Sequence, residues 1–378
     1  MYIKGVGMTK FGIQEDATTQ LVYESVLETL DDSNLSMNNV DAIVVSNMDI
    51  LSNGERQRHS ASMLSSLFQK KMPIITVPAG CAGGGTALWT ANRLYKSGNY
   101  DNILVIGFEK IMANSSKRVT DEILMGGERV YEQTEGLNFP AQNALVAQQY
   151  MSQHGATTDD LALVAFKNHE NAYSNPKAKF YHKKVSLEEI KNSPVVASPL
   201  RLFDCSISVN GAASLILTRE KTDVEVVGSA EGADYLAPFE REDMTSWLAT
   251  KKSAELAFKQ AGITPNDISI AEIHDAFTSV ELISYEDLGF CKRGEGKNMI
   301  RNGTTKINGK LPVNTSGGLK AKGHPISATG VSQIYEIVKQ MRKQAGDRQV
   351  DNVRYGLAQN IGGAGSTVTV HILKKVSI

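Results

Sequence analysis

Pro73-Ile74-Ile75-Thr76-Val77-Pro78-Ala79-Gly80-Cys81-Ala82-Gly83-Gly84-Gly85-Thr86-Ala87 is an apolar, β-branched run bounded by proline, then a glycine-rich turn, then small residues. The run predicts a short buried strand over 73–77, and the spacing beyond the turn predicts a helix over 86–95. Cys81 therefore stands where a strand turns into a helix. Free backbone N–H groups and the helix dipole at such a place favour an anion, which lowers a thiol pKa from about 8.5 toward 3.5–7.5. The thiolate is the nucleophile, and glycine lets an acyl group reach N–H donors able to hold an oxyanion. The plainer reading of Cys81 is a small residue packed where strand meets helix. Only the rest of the chain decides between them.

The 378 residues are enough for two domains or one duplicated domain. Hydrophobic residues make up 41% and charged residues 21%, the balance of an ordinary soluble enzyme. A net charge of −1 supplies no field for nucleic acid or an anionic membrane. Cys81, Cys205 and Cys291 are odd in number and far apart. That spacing argues against a disulfide framework and against a metal site, and it suits a reducing compartment. No stretch has the length of a signal-peptide core or a membrane span, so a cytoplasmic protein is expected.

Strand and helix alternate from the start: a strand over 2–7, a helix over 19–30, a strand reaching 45, a helix over 60–68, the Cys81 unit and a strand over 102–107. That order predicts a mostly parallel sheet covered by helices. Residues 113–199 differ, with many charges and aromatics and two helices expected near 141–153 and 158–171. They form an inserted subdomain, since no connecting loop runs so long. Its basic part, 175–184, reads either as a solvated face or as a contact for an anionic ligand. The first half spans 1–112 and resumes over 200–222; the second spans 223–378.

The second half repeats the first. Leu35 to Ser46 aligns with Ile263 to His274 at a constant offset of 228 residues. Asp101-Asn102-Ile103 matches Asp351-Asn352-Val353, and Gly211-Ala212-Ala213-Ser214 matches Gly363-Ala364-Gly365-Ser366, in the same order. One supersecondary unit used twice accounts for this. The repeat would set Cys81 against three features of the second half, all at strand ends, where such sheets build their sites. These are His274-Asp275-Ala276-Phe277, the loop Asn314-Thr315-Ser316-Gly317-Gly318 through Gly323-His324-Pro325, and Asn360-Ile361-Gly362-Gly363. A cysteine nucleophile needs a base and oxyanion donors. His324 suits the base, His274 suits polarising a carbonyl, and the N–H groups of Cys81 and Gly362 suit a second oxyanion site.

With these residues assembled, the chain resembles the thiolases. Gly-Cys-Ala-Gly-Gly at 80–84, His-Asp-Ala-Phe at 274–277, Gly-His-Pro at 323–325 and Asn-Ile-Gly-Gly at 360–363 match the four motif positions of that family in order, across essentially the whole chain. The variants are similar to those of archaeal acetoacetyl-CoA thiolases and the sterol-carrier-protein type. The resemblance implies an α/β thiolase fold, two similar halves in a five-layered αβαβα sandwich, with the insert binding CoA. It implies an acetyl-CoA C-acetyltransferase that joins two acetyl-CoA through acetyl-Cys81 and feeds the mevalonate route. A 3-ketoacyl-CoA thiolase for longer chains and a non-catalytic acyl-CoA-binding subunit are the alternatives. No cofactor is implied; CoA thioesters are substrates. Lys177, Lys179, Lys183, Lys184 and Ser316 are candidate CoA contacts. A homodimer or homotetramer is implied, together with hydroxymethylglutaryl-CoA synthase and a small zinc-containing OB-fold protein as partners.

One departure matters. Most members have a second, proton-removing cysteine at the position of Asn360, and the sterol-carrier type at the position of Ala276. This chain has neither. Cys205 and Cys291 are candidate substitutes, each equally well read as buried packing, with Cys205 slightly favoured by its place beside the sheet ends.

Overall fold

The structure is a computed structural model that describes residues 1–48, 55, 57, 59–113 and 116–377. Its strands are β1 (Tyr2–Met8), β2 (Ala42–Ser46), β3 (Ile74–Thr76), β4 (Asn102–Glu109), β5 (Val195–Ala197), β6 (Leu200–Arg201), β7 (Gly211–Thr218), β8 (Val224–Ala233), β9 (Ile270–Glu272), β10 (Tyr355–Gly362) and β11 (Thr367–Lys375). Nine of them form one sheet in the order β3-β2-β4-β7-β1-β8-β11-β10-β9, and β5 and β6 pair separately.

The sheet is mixed, where strand–helix alternation predicted mostly parallel. β2 is parallel to β3 and β4, and β9 to β10. The pairs β4–β7, β1–β7, β1–β8, β8–β11 and β10–β11 are antiparallel. The reason lies in the return of the chain after the insert. β7 comes back beside β4, and β11 turns back on β10 through four residues, so neither needs a helical crossover.

Layering follows from which faces are apolar. The helix Thr18–Ser33 packs on β1 and β7, and Leu248–Ala261 packs on β8 and β11. Between the halves lie Gly83–Lys96 and Thr329–Met341; the first touches β2 and β4 on one side and β8 and β11 on the other. Helix, half-sheet, paired helices, half-sheet and helix make the five layers. The two central helices approach at their N-termini, where a Cβ on Gly84 would lie 2.7 Å from Ser327 O and one on Gly330 would lie 2.3 Å from Gly85 N. Only glycine admits that approach.

The repeat is visible in detail. Ser36 and Asn39 form a reciprocal cap on the short turn Met37–Asn39 before β2, and Thr264 and Asp267 form the same cap on Pro265–Asp267 before β9. The third match is shifted. Gly211 opens β7, whereas Gly363–Ser366 forms the turn between β10 and β11. The strand expected over 73–77 shrinks to Ile74–Thr76 and is not buried. It is the sheet's edge, with Ile75 37% exposed.

In the insert, Asn138 caps Phe139–His154 by accepting from Ala141 N, Pro140 lies in the first turn, and Gly155 ends the helix in the left-handed conformation. The next helix, Thr158–Tyr173, packs on the Gly318–Lys322 turn of the second half. The insert thus lies over the loop that carries His324.

Candidate active site

Cys81 occupies a single 3-10 turn, Gly80–Ala82, running directly into Gly83–Lys96. Gly80 just before it has φ of +51°, which glycine adopts without a Cβ penalty. His274 follows β9 by two residues, and His324 lies in the loop before Thr329–Met341. The residues 205–208 run between the two histidine loops: Cys205 bridges Phe277, Ser206 N donates to Ala276 O at 2.8 Å, and His324 N donates to Ile207 O at 2.9 Å.

Cys81, His274 and His324 line one cavity of about 140 Å³, whose wall is otherwise mostly apolar and includes Phe139, Trp247, Phe277 and Val280. Cys81 and Gly362 also line an adjoining cavity of about 200 Å³. The two imidazoles meet edge to face at 5.3 Å between centroids. The sequence-predicted nucleophile, both histidines and Gly362 are thus brought together.

The electrostatics correct one expectation. The Cys81 thiol is pushed up to about 12, first by burial and then by the nearby Glu109 carboxylate. Desolvation of a charged sulfur outweighs the dipole of the following helix. His324 is pushed down to about 3 by burial and by Lys322, and His274 lies well below the ordinary imidazole value because of burial and of His324. The resting pair is a neutral thiol beside a neutral imidazole. Alkylation of Cys81 by iodoacetamide, followed by mass spectrometry, is therefore expected to be slow at pH 7 to 8. It should keep rising about tenfold per pH unit to pH 10, as the thiolate fraction grows. A plateau already at pH 8 would contradict a raised thiol.

Hydrogen bonds assign the two rings different faces. At His274 Nδ1, Ile361 N and Asn360 Nδ2 both approach to 3.3 Å. Both are N–H donors, so Nδ1 is the acceptor and the proton sits on Nε2, a donor available to the cavity. His324 Nδ1 lies 2.7 Å from Thr329 Oγ1. With Nδ1–H donating to that oxygen, Nε2 keeps its lone pair, as a base requires.

Asn360 was not among the predicted site residues. Its Nδ2 also donates to Cys81 O at 2.8 Å, while its Oδ1 accepts from Gly85 N at 3.1 Å. One side chain joins the Cys81 turn, the central helix and His274. No local pattern announces this, because its partners lie 86 and about 280 residues away. Asp275 is a second residue of this kind: buried, pushed up mainly by burial, and accepting from Asn168 Nδ2 at 2.8 Å and Leu319 N at 2.6 Å. It ties the His274 loop to the insert and to the His324 loop.

The candidate CoA contacts do not gather at the cavity. Lys177 pairs with Glu28 at 2.7 Å. Lys183 and Lys184 lie over the Phe180 and Tyr173 rings at 5.9 and 5.6 Å. The Lys179 ammonium is lowered by burial and by Lys183 and Lys10. Ser316 is buried, its N and Oγ both donating to Glu272. Among the described residues, no group of three or more His, Cys, Asp or Glu side chains is placed to hold a metal ion, and no helix is long and apolar enough to cross a membrane.

Comparison with known proteins places this arrangement. Residues 1–221 match the family described as thiolase, N-terminal domain, and residues 230–375 match thiolase C-terminal domain-like. The chain is 40% identical to an acetyl-CoA acetyltransferase of Methanothermobacter thermautotrophicus over 98% of both chains. It is 37% identical to an acetyl-CoA acetyltransferase of Methanocaldococcus jannaschii, again over 98% of both. Among solved structures, the Ltp2-ChsH2(DUF35) aldolase is similar at a TM-score of 0.83 and 26% identity, covering 99% of this chain and 97% of that one.

Proposed function

The chain belongs to the thiolase family of acyltransferases, and from that premise we propose that it condenses two acetyl-CoA to acetoacetyl-CoA and CoA through an acetyl-Cys81 thioester. The observation that carries this reading is Cys81 in one cavity with His324 and with His274, whose Nδ1 accepts from Ile361 N. Because the thiol and imidazole are both neutral at rest, His324 Nε2 takes the Cys81 proton as sulfur attacks the thioester carbonyl, with no prior thiolate. The His274 Nε2–H donates to the thioester oxygen as it gains charge. The N–H groups of Cys81 and Gly362 serve the acyl-enzyme carbonyl from the adjoining cavity.

CoA thioesters are substrates in this reading, and no resident cofactor or metal takes part. The insert holds CoA, with Lys179, Lys183 and Lys184 as cations for its phosphates and Lys177 and Ser316 supporting their loops. The enzyme works as a homodimer or homotetramer in the cytoplasm. Its product passes to hydroxymethylglutaryl-CoA synthase and the mevalonate route, with a small OB-fold protein as go-between; the likeness to a chain named with ChsH2(DUF35) supports a small partner of that kind. A 3-ketoacyl-CoA substrate with a longer acyl chain is the second reading, favoured by the aromatic wall of Phe139, Trp247 and Phe277.

The test is thiolysis of acetoacetyl-CoA by free CoA, followed as loss of enolate absorbance. Brisk cleavage is expected. No cleavage by folded protein that binds CoA, alongside cleavage of a longer 3-ketoacyl-CoA, would put the second reading first.

A further inference from the structure

Joining two acetyl groups requires a base for the α-carbon of the second, besides the groups that activate and receive the first. Among the described residues, four titratable side chains line the main cavity: Cys81, His274, His324 and Cys205. The first is the nucleophile. His324 handles its proton. The His274 ring has its Nδ1 lone pair occupied and offers only a donor. We infer that Cys205 is the group that removes the α-proton of the second acetyl-CoA, and that it returns that proton in the reverse reaction. The inference rests on the acetyl-transfer reading above.

The fold puts Cys205 there by an unusual route. It comes from the first half of the chain, at the end of the turn Leu202–Asp204, and its backbone bridges Phe277. Its neighbour Ser206 is bonded to Ala276 O. A thiol at 205 thus enters the cavity beside the residue that follows His274-Asp275, where this chain itself carries only a methyl group. The remaining cysteine is not an alternative, since Cys291 is not part of the cavity wall and packs beside Phe290 against the second-half core.

The surroundings suit a sulfur that changes charge. Among the described residues its one hydrogen bond is weak, Sγ donating to Arg201 O at 3.6 Å. Fully buried Lys320 donates to Asp204 O at 2.7 Å, one residue away from Cys205. Burial pushes the thiol up to about 11, and the Lys320 ammonium works against that rise. Cys81, with Glu109 instead of a lysine for company, is pushed higher.

The cycle balances. When acetyl passes to Cys81, His324 hands the Cys81 proton to the leaving CoA thiolate, which departs as CoA, and Cys205 gives its S–H proton to solvent and stands as thiolate near Lys320. The second acetyl-CoA then enters. Cys205 Sγ takes one α-proton, and the C–H electron pair moves into an enolate held by the His274 donor. The α-carbon attacks the acetyl-Cys81 carbonyl; a C–C bond forms, the C–S bond breaks, and the Cys81 thiolate recovers a proton from solvent through His324. No oxidant or other co-reactant is needed.

The experiment compares wild type with Cys205→Ala and Cys205→Ser in two readouts. One is covalent acetylation of Cys81 by acetyl-CoA, read by intact mass. The other is deuterium entry into the acetyl methyl group in D2O, read by NMR. In both variants the acetyl adduct should still form, because His324 protonates the leaving thiolate, while deuterium entry and condensation should fall by about 10²- to 10⁴-fold. Retention of the adduct also reports that the variant is folded. Deuterium entry at the wild-type rate in Cys205→Ala would overturn the assignment. So would equal loss of adduct and exchange in Cys205→Ser, which would mark a packing role. Failure of wild type itself to form the adduct would instead strike the acetyl-transfer reading, before any variant is made.

Discussion

Cys81→Ala is expected to form no acetyl adduct with acetyl-CoA and to lose about 10⁴-fold or more of thiolysis activity, the scale seen when a covalent nucleophile is removed. The loss is large because the proposed reaction proceeds through a bond to this sulfur. The histidines offer no substitute, since a ring nitrogen forms no thioester with the acetyl group. The substitution is mild structurally. The turn Gly80–Ala82 is held by backbone geometry and by Asn360 Nδ2 on the Cys81 carbonyl, and alanine keeps both. Intact mass after incubation with acetyl-CoA reads the adduct, and circular dichroism with CoA binding reads the fold. An adduct persisting in Cys81→Ala would remove Cys81 from its role.

The second large effect is at His324. His324→Ala is expected to lower kcat by about 10²- to 10⁴-fold at neutral pH, the usual contribution of a positioned general base. The deficit should narrow as pH rises, since the Cys81 thiol, pushed up to about 12, ionises without help only in strong alkali. The wild-type profile carries its own sign. A histidine of ordinary pKa would be protonated below about pH 6.5 and would remove the base there. His324 is pushed down to about 3, so it stays a base as pH falls through 6.5. The rate should therefore show no inflection from this group between pH 5 and 8. A clear acid limb near 6.5 that disappears in His324→Ala would mean that the ring is more hydrated than its burial indicates.

Much of this was legible in one dimension because the relevant physics is local. A glycine-rich turn between an apolar run and a row of small residues identifies Cys81 as a helix-entry cysteine. The motifs at 274–277 and 360–363 fall at strand ends, and the one at 323–325 in the loop before a helix, because element and loop residues differ in polarity along the chain. The repeat at an offset of 228 showed even in its caps, since a cap needs only residues three apart. Edge and centre were not legible: Ile74-Ile75 has the composition of an inner strand, and only the neighbours assigned by the fold leave one side open.

Long-range placement decided the rest. The order of residues singled out Cys81 as the candidate nucleophile, the two histidines and the duplicated α/β scaffold. Folding alone determined that the Cys81 thiol is raised and not lowered, because a pKa depends on how much water and which charges remain around the sulfur, and Glu109 is 28 residues away. Folding alone turned the His274 proton toward the cavity through Asn360 and Ile361. It also brought Cys205 from the far side of the insert to stand beside Ala276. A side chain's chemistry is carried by its own atoms and its near neighbours in sequence; its charge state, tautomer and reach are set by atoms that become neighbours only when the two halves close on each other.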